Sequence, residues 1–180
     1  MSSSEKTISS INFEIRLETP SDSLAVETLI MEVFGPSMFA RAAFALREGI
    51  AAESHLSFVA CKGDEIIGSV RLTKIKWGKD TVLMLGPLGV LKKYKSLGAG
   101  RALMKKAVET AREHVGAGEP SAIILVGDHA YYKPFGFSQI MPAKIQLPRP
   151  ADPQRILVCD LVEGASAKYE GEAKRFVKTI

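Results

Sequence analysis

Hydrophobic residues run almost unbroken through residues 81–90, T-V-L-M-L-G-P-L-G-V. Such a run predicts a strand covered on both faces. Beyond it the period changes. Over residues 100–115, Met104, Val108, Ala111 and Val115 fall on one stripe, while Arg101, Lys105, Glu109 and Arg112 fall on the other. That is the pattern of an amphipathic helix, and Gly116, Gly118 and Pro120 stop it. Shorter runs predict strands at 13–18, 57–61, 65–76, 122–126, 137–140 and 156–161, with Lys62-Gly63-Asp64 as a hairpin turn. Helices are expected at 21–34, started by Pro20 and Asp22, and at 37–49 with Phe39, Ala43 and Leu46 inward. Two more are expected, a short one around residues 131–132 and one at 167–177. This order predicts one α/β domain over residues 11–180, built on a mixed, mostly antiparallel sheet, behind a polar disordered tail at 1–10.

Pro87 breaks the pattern of the buried strand. A proline there cannot donate to a ladder, so it predicts a bulge. A bulge would splay two neighbouring strands and free the main-chain groups of Leu88 and Val90. An extended ligand that carries amides, such as pantetheine, could pair with them. The alternative is an edge strand with a kink.

The segment after that strand, V90-L-K-K-Y-K-S-L-G-A-G-R101, adds a second element of the same site. At the start of a helix the free N–H groups and the dipole favour an anion. Gly98 and Gly100 carry no Cβ, so a phosphate can approach the main chain. Lys92, Lys93, Lys95 and Arg101 supply positive charge, and no Asp or Glu occurs between Asp80 and Glu109 to oppose it. A tight turn with solvated lysines is the plainer alternative. The loop is not G-x-x-x-x-G-K-[ST], and its glycines lack the third member of a dinucleotide fingerprint.

Composition narrows the classes. A chain of 180 residues, 46% hydrophobic, has the core of one globular domain. The net charge of +4 suits an anionic ligand and does not require nucleic acid, so a nucleic-acid-binding domain ranks low. Cys61 and Cys159 lie in apolar strand-like runs without metal spacing and read as buried free thiols of a reducing compartment. Residues 1–10 lack the apolar stretch of a signal peptide, and no apolar run is long enough to span a bilayer. A cytoplasmic protein without membrane partners or metal is therefore expected.

Lys95-Ser96-Leu97-Gly98-Ala99-Gly100 resembles motif A of the GNAT superfamily of N-acetyltransferases, Q/R-x-x-G-x-G/A, at both glycine positions. Lys95 stands where Gln or Arg is usual, Ser96 where a further Gly is frequent, and Lys92 where Pro is frequent. V126-G-D-H-A-Y-Y-K-P-F-G-F137 resembles the L-G-D-P-A-Y-Y-x-x-F-G-F stretch of a bacterial, YhbS-like branch of that superfamily. The likeness spans residues 13–166 and implies the GNAT fold, with helices on both faces of the sheet and acetyl-CoA as cosubstrate.

It also implies site residues. Lys95, Ser96, Leu97, Gly98, Ala99, Gly100 and Arg101 would hold the cofactor diphosphate, and Leu88, Val90 and Asp128 its pantetheine arm. Val90, or alternatively Leu88, would donate its N–H to the carbonyl oxygen. Tyr132, four residues before Gly136, would be the general acid that protonates the departing sulfur. Tyr131 is expected to pack the short helix against the sheet. No base stands out; His129, Asp128, Asp80, Glu53 and His55 are candidates, and water could serve instead. The acceptor pocket would draw on Arg41, Arg47, Glu48 and Arg155, which either recognise a carboxylate-bearing amine or pair with surface glutamates. The implied activity is N-acetylation of a primary amine on a small molecule, peptide or protein, with a homodimer as one arrangement. The alternative is a silent module of the same fold that binds acyl-CoA or a small ligand.

Overall fold

The computed structural model describes residues 12–178, so the tail expected at 1–10 lies outside the described residues. β1 (Glu14–Leu17) leads through a 3-10 turn at Pro20–Asp22 into α1 (Ser23–Phe34) and α2 (Ala42–Arg47). β2 (Phe58–Lys62), β3 (Glu65–Trp77) and β4 (Asp80–Val90) form an antiparallel meander, followed by α3 (Ala99–His114) and β5 (Ala122–Val126). Then come α4 (His129–Tyr132), β6 (Ser138–Gln139), β7 (Ile145–Gln146), β8 (Ile156–Asp160) and β9 (Gly171–Arg175). The sheet order is β1-β2-β3-β4-β5-β8-β6, with β9 pairing β3 and β7. Within the main path only β4 and β5 run parallel. The expected mixed, mostly antiparallel sheet is what forms.

Strand alternation sorts the core into layers. Phe58 and Ala60 of β2, Leu83 and Leu85 of β4, Ile123 and Leu125 of β5, and Leu157 and Cys159 of β8 join Leu103, Met104 and Ala107 of α3 in one cluster. Their neighbours point the other way. Val59 and Cys61 pack against Val26, Leu29 and Ile30 of α1, and Val82, Met84, Ile124 and Val158 pack with Leu46 of α2. One face thus carries α3 and the other α1 and α2. Both cysteines are buried free thiols.

Two helix expectations fail for identifiable reasons. Residues 37–49 do not form one helix, because Arg41 is extended (φ −80°, ψ 149°) between a 3-10 turn at Pro36–Ala40 and α2. Residues 167–177 were expected helical, yet Gly171–Arg175 is strand β9. Its partners are the free edge of β3, where Ala173 faces Trp77, and β7, where Gly171 faces Ile145. Tertiary pairing overrides the local helix preference of an Ala- and Lys-containing segment. Gly78 permits the close crossing: a Cβ there would lie 2.0 Å from the carbonyl oxygen of Glu170.

Candidate functional site

β4 and β5 part in the middle of the sheet. Their pairing is confined to Leu83–Ile123 and Met84–Ile124. Past Met84 the register of β4 against β3 jumps, so that Gly86 and Pro87 together oppose Arg71. This is the bulge that Pro87 predicts. Beyond it the Leu91 N–H donates to Ile67 O at 2.9 Å. By antiparallel alternation, pairs 67/91 and 69/89 exchange hydrogen bonds, whereas 68/90 and 70/88 do not. The N–H and C=O groups of Leu88 and Val90 therefore point away from β3, into the gap that β5 leaves.

That gap is a cleft of about 1160 Å³. One wall runs along β4 from Leu85 to Val90, and the other consists of Leu125, Val126, Gly127 and the start of α4. At one end stands the loop before α3. Ser96 (φ 72°) and Gly98 (φ 89°) are both left-handed there, which turns the chain sharply into the helix. Gly98 is the N-cap, and its carbonyl takes the first helical bond, from Ala102 N–H at 3.0 Å. The N–H groups of Ala99, Gly100 and Arg101 have no intrahelical acceptor. Gly100 is spatially constrained: a Cβ would lie 2.9 Å from the hydroxyl of Tyr131.

The expected residues converge on this cleft. Leu88, Val90, Lys95, Ser96, Gly98, Ala99, Gly100, Arg101, Asp128 and Tyr132 all line it. Leu97 is the exception, turned outward and 36% exposed. Asp128 caps α4, with its carboxylate accepting from Ala130 N–H at 3.0 Å. The loop's charge is smaller than the local sequence indicates. Glu65, distant in sequence, brings its carboxylate to Lys93 Nζ at 2.7 Å and accepts from the Tyr94 hydroxyl at 2.6 Å. Of the cations in residues 92–101, Lys95 and Arg101 face the cleft, and the Arg101 guanidinium also lies 5.7 Å from the Phe135 ring centre.

The two tyrosines share the site differently than expected. Tyr132 is half-buried, with its ring over Gly127 and edge-on to Phe137. Burial, helped by the neighbouring Tyr131, pushes its pKa up to about 12. Tyr131, expected as packing, lines the cleft with its hydroxyl against Gly100, and burial raises its pKa too.

Most base candidates lie elsewhere. Asp80 opens β4 opposite Trp77, and neither it nor His129 lines the cleft. Glu53 and His55 join Glu119 in a separate cluster whose ligand-type atoms lie within 4.8 Å of one another. Lys74 Nζ sits among them, 3.5 Å from Glu53 and 3.1 Å from Glu119, and offsets one of the two carboxylate charges. Asp128 is the one named candidate in the cleft, joined by Asp152, which sequence reasoning missed. Asp152 opens a 3-10 turn at Pro153–Arg155 that carries its residue back to the cleft from beyond β7. Of the expected acceptor-side residues, Arg41, Arg47 and Arg155 line the cleft and Glu48 does not.

A sequence model of the Acetyltransferase (GNAT) family matches residues 23–137. The chain belongs to the GNAT family of acetyltransferases. Solved GNAT structures share its fold. A GNAT family N-acetyltransferase (YhbS) from Escherichia coli, in complex with CoA, superimposes with a TM-score of 0.76 at 24% identity, covering 92% of this chain and 91% of its own. A GNAT family acetyltransferase from Brucella melitensis, in complex with acetyl-CoA, gives 0.58 at 24% identity, with 82% and 95% covered. Arabidopsis thaliana Naa50, in complex with the bisubstrate analogue CoA-Ac-MVNAL, gives 0.53 at 16% identity, with 81% and 97% covered. No curated protein matches the chain in sequence. Among the described residues no helix is long and apolar enough to cross a membrane.

Proposed function

We propose that this GNAT protein is an acetyl-CoA-dependent N-acetyltransferase that moves an acetyl group onto a primary amine by direct attack. One observation carries the reading: β4 leaves the main-chain groups of Leu88 and Val90 open toward a cleft that ends at the glycine loop of α3. The pattern suits a ligand with amides along its length and a diphosphate at its end. The open N–H groups of residues 99–101 fit the diphosphate, with Lys95 and Arg101 adding charge. The missing Cβ of Gly100 keeps the approach clear beside Tyr131. Acetyl-CoA supplies an activated acyl group whose thioester carbon accepts the amine.

In this reading the N–H of Val90 or Leu88 steadies the charge that develops on the carbonyl oxygen. A new C–N bond forms, the C–S bond breaks, and the sulfur leaves with a proton from Tyr132. Its raised pKa keeps the Tyr132 phenol protonated across the neutral range, so a proton is there to give. The amine's surplus proton passes to water at the open cleft, or to Asp128 or Asp152.

Calorimetric titration with acetyl-CoA tests the reading, run beside a Gly98→Asp, Gly100→Asp double variant whose folding is checked by circular dichroism. Micromolar binding by the wild type and none by the folded variant is the expected result. A folded wild type that fails to bind would overturn it.

A further inference from the structure

The cleft holds a cation that no carboxylate among the described residues neutralises. Arg47, at the end of α2, lines it. Its Nε donates to Ala43 O at 2.9 Å, one helical turn back, which fixes the guanidinium plane. Its Nη1 is sealed from solvent with no hydrogen-bond partner. Among the described residues no carboxylate forms an ion pair with it, whereas its neighbour Arg71 is satisfied by Glu18, whose carboxylate accepts from Arg71 Nε at 2.8 Å. Burial and the like charge of Arg71 lower the pKa of Arg47 to about 10, so it remains cationic at neutral pH. A buried, unpaired guanidinium is costly to maintain, and an anion in the cleft would remove that cost.

The position of Arg47 selects which ligand brings the anion. A Cβ on Gly86 would lie 3.4 Å from Arg47 Nη1 and 3.8 Å from Leu88 N. The guanidinium therefore sits beside the bulge, next to the first open amide of β4 and on the far side of it from the glycine loop. A cofactor that runs from the loop to Leu88 ends before Arg47, so the anion belongs to the acceptor. Phe44, one turn earlier on α2, also lines the cleft and gives the acceptor an apolar wall. Asp152 lines it too, and its negative charge disfavours a phosphate dianion more than a carboxylate. Arg41 and Arg155 are exposed, and Arg41 already lies over the Phe34 ring at 5.6 Å.

We infer that the acceptor is a small amino acid whose carboxylate is held by Arg47 while its amine, one or two carbons away, faces the carbonyl carbon beside Leu88. With Nε held by Ala43 O and Nη1 sealed from solvent, the carboxylate meets the guanidinium at Nη2 in a charge-assisted hydrogen bond. The short span between Arg47 Nη1 and the Leu88 amide requires the two groups of the acceptor to lie close together. The products are an N-acetyl amino acid and free CoA, and the inference rests on the acetyl-transfer reading above.

The test compares α- and β-amino acids with their carboxamides and aminophosphonates, following CoA release with a thiol reagent and the product by mass spectrometry. We expect at least one acid to be used roughly 10- to 100-fold better in kcat/KM than its amide. Arg47→Gln should collapse that ratio toward one through the acceptor KM, and Arg47→Lys should restore part of it. A binding arm needs no turnover: N-acetyl amino acids, but not their amides, should raise the melting temperature of the wild type and not of Arg47→Gln. Equal use of acid and amide, preference for the phosphonate, or neither turnover nor melting shift with any carboxylate would overturn the inference. Absence of acetyl-CoA binding overturns the cofactor reading instead, and the melting shifts still decide the arginine site.

Discussion

A β-carbon on Gly127 would lie 2.4 Å from Cε2 of Tyr132. The tyrosine ring therefore occupies the space that any other residue at 127 would claim, which fixes where its hydroxyl enters the cleft. Gly127→Ala should displace the ring and cost about 1–3 kcal/mol of stability, the usual penalty for overpacking. Chemical denaturation measures the stability, and a rate assay should show a larger loss in kcat than in acetyl-CoA affinity.

Tyr132→Phe removes the proposed proton donor while keeping the ring that packs on Gly127 and Phe137. Its kcat should fall roughly 10²- to 10⁴-fold with acetyl-CoA affinity retained. The wild-type rate should climb with pH as the acceptor amine deprotonates, and Tyr132 should impose no decline until pH nears its pKa of about 12. Stability has the matching sign. An unfolded phenol titrates near about 10, so the contribution of the neutral folded tyrosine is complete below that pH and is lost as pH rises toward 12.

Ser96 holds a left-handed backbone, φ 72°, in the turn before α3. An L-residue pays roughly 1 kcal/mol for that conformation and glycine does not. Ser96→Gly should therefore raise the stability by about that amount, read as a melting-temperature increase. It should leave acetyl-CoA affinity equal or tighter. A drop in both would show that the serine hydroxyl contributes a contact of its own.

Asp22 ties the entry of α1 to β1. Its two oxygens accept from Arg16 Nη1 and Nη2 at 2.7 and 2.9 Å, and the backbone N–H and hydroxyl of Thr19 add two further bonds. The Arg16 hydrogen bonds hold its carboxyl well below the usual carboxylate range. Such a group stabilises the fold above the unfolded pKa of about 3.9, and the contribution is lost as pH falls through the folded value. Asp22→Asn should cost roughly 1–2 kcal/mol at neutral pH, a low figure because Arg16 is partly exposed. It should also flatten the acid limb of a stability-against-pH curve.

Features set by neighbours in sequence were legible beforehand. Pro87 announced the bulge, and Gly98 and Gly100 announced the helix start. Features set by distant partners were not. Lys93 looked unopposed until the β2–β3 hairpin delivered Glu65. Residues 171–175 looked helical because nothing local records the free edge of β3 at Ile75–Trp77. Tyr131 and Tyr132 are adjacent, and only the placement of Gly100 and Gly127 shows which ring meets which wall. Arg47 was one arginine among several, and its lack of a carboxylate partner among the described residues exists only in three dimensions.

In the proposed reading, the parting of β4 from β5 turns recognition of the cofactor arm into completion of a sheet. A ligand that pairs with Leu88 and Val90 through main-chain groups behaves as a short extra strand, indifferent to the side chains of those residues. Replacing Leu88 or Val90 by another apolar residue then leaves the interaction intact, while anything that lets the two strands zip together abolishes it. What must be preserved at this site is a vacancy in the ladder, and the bulge at Gly86 and Pro87 keeps it open.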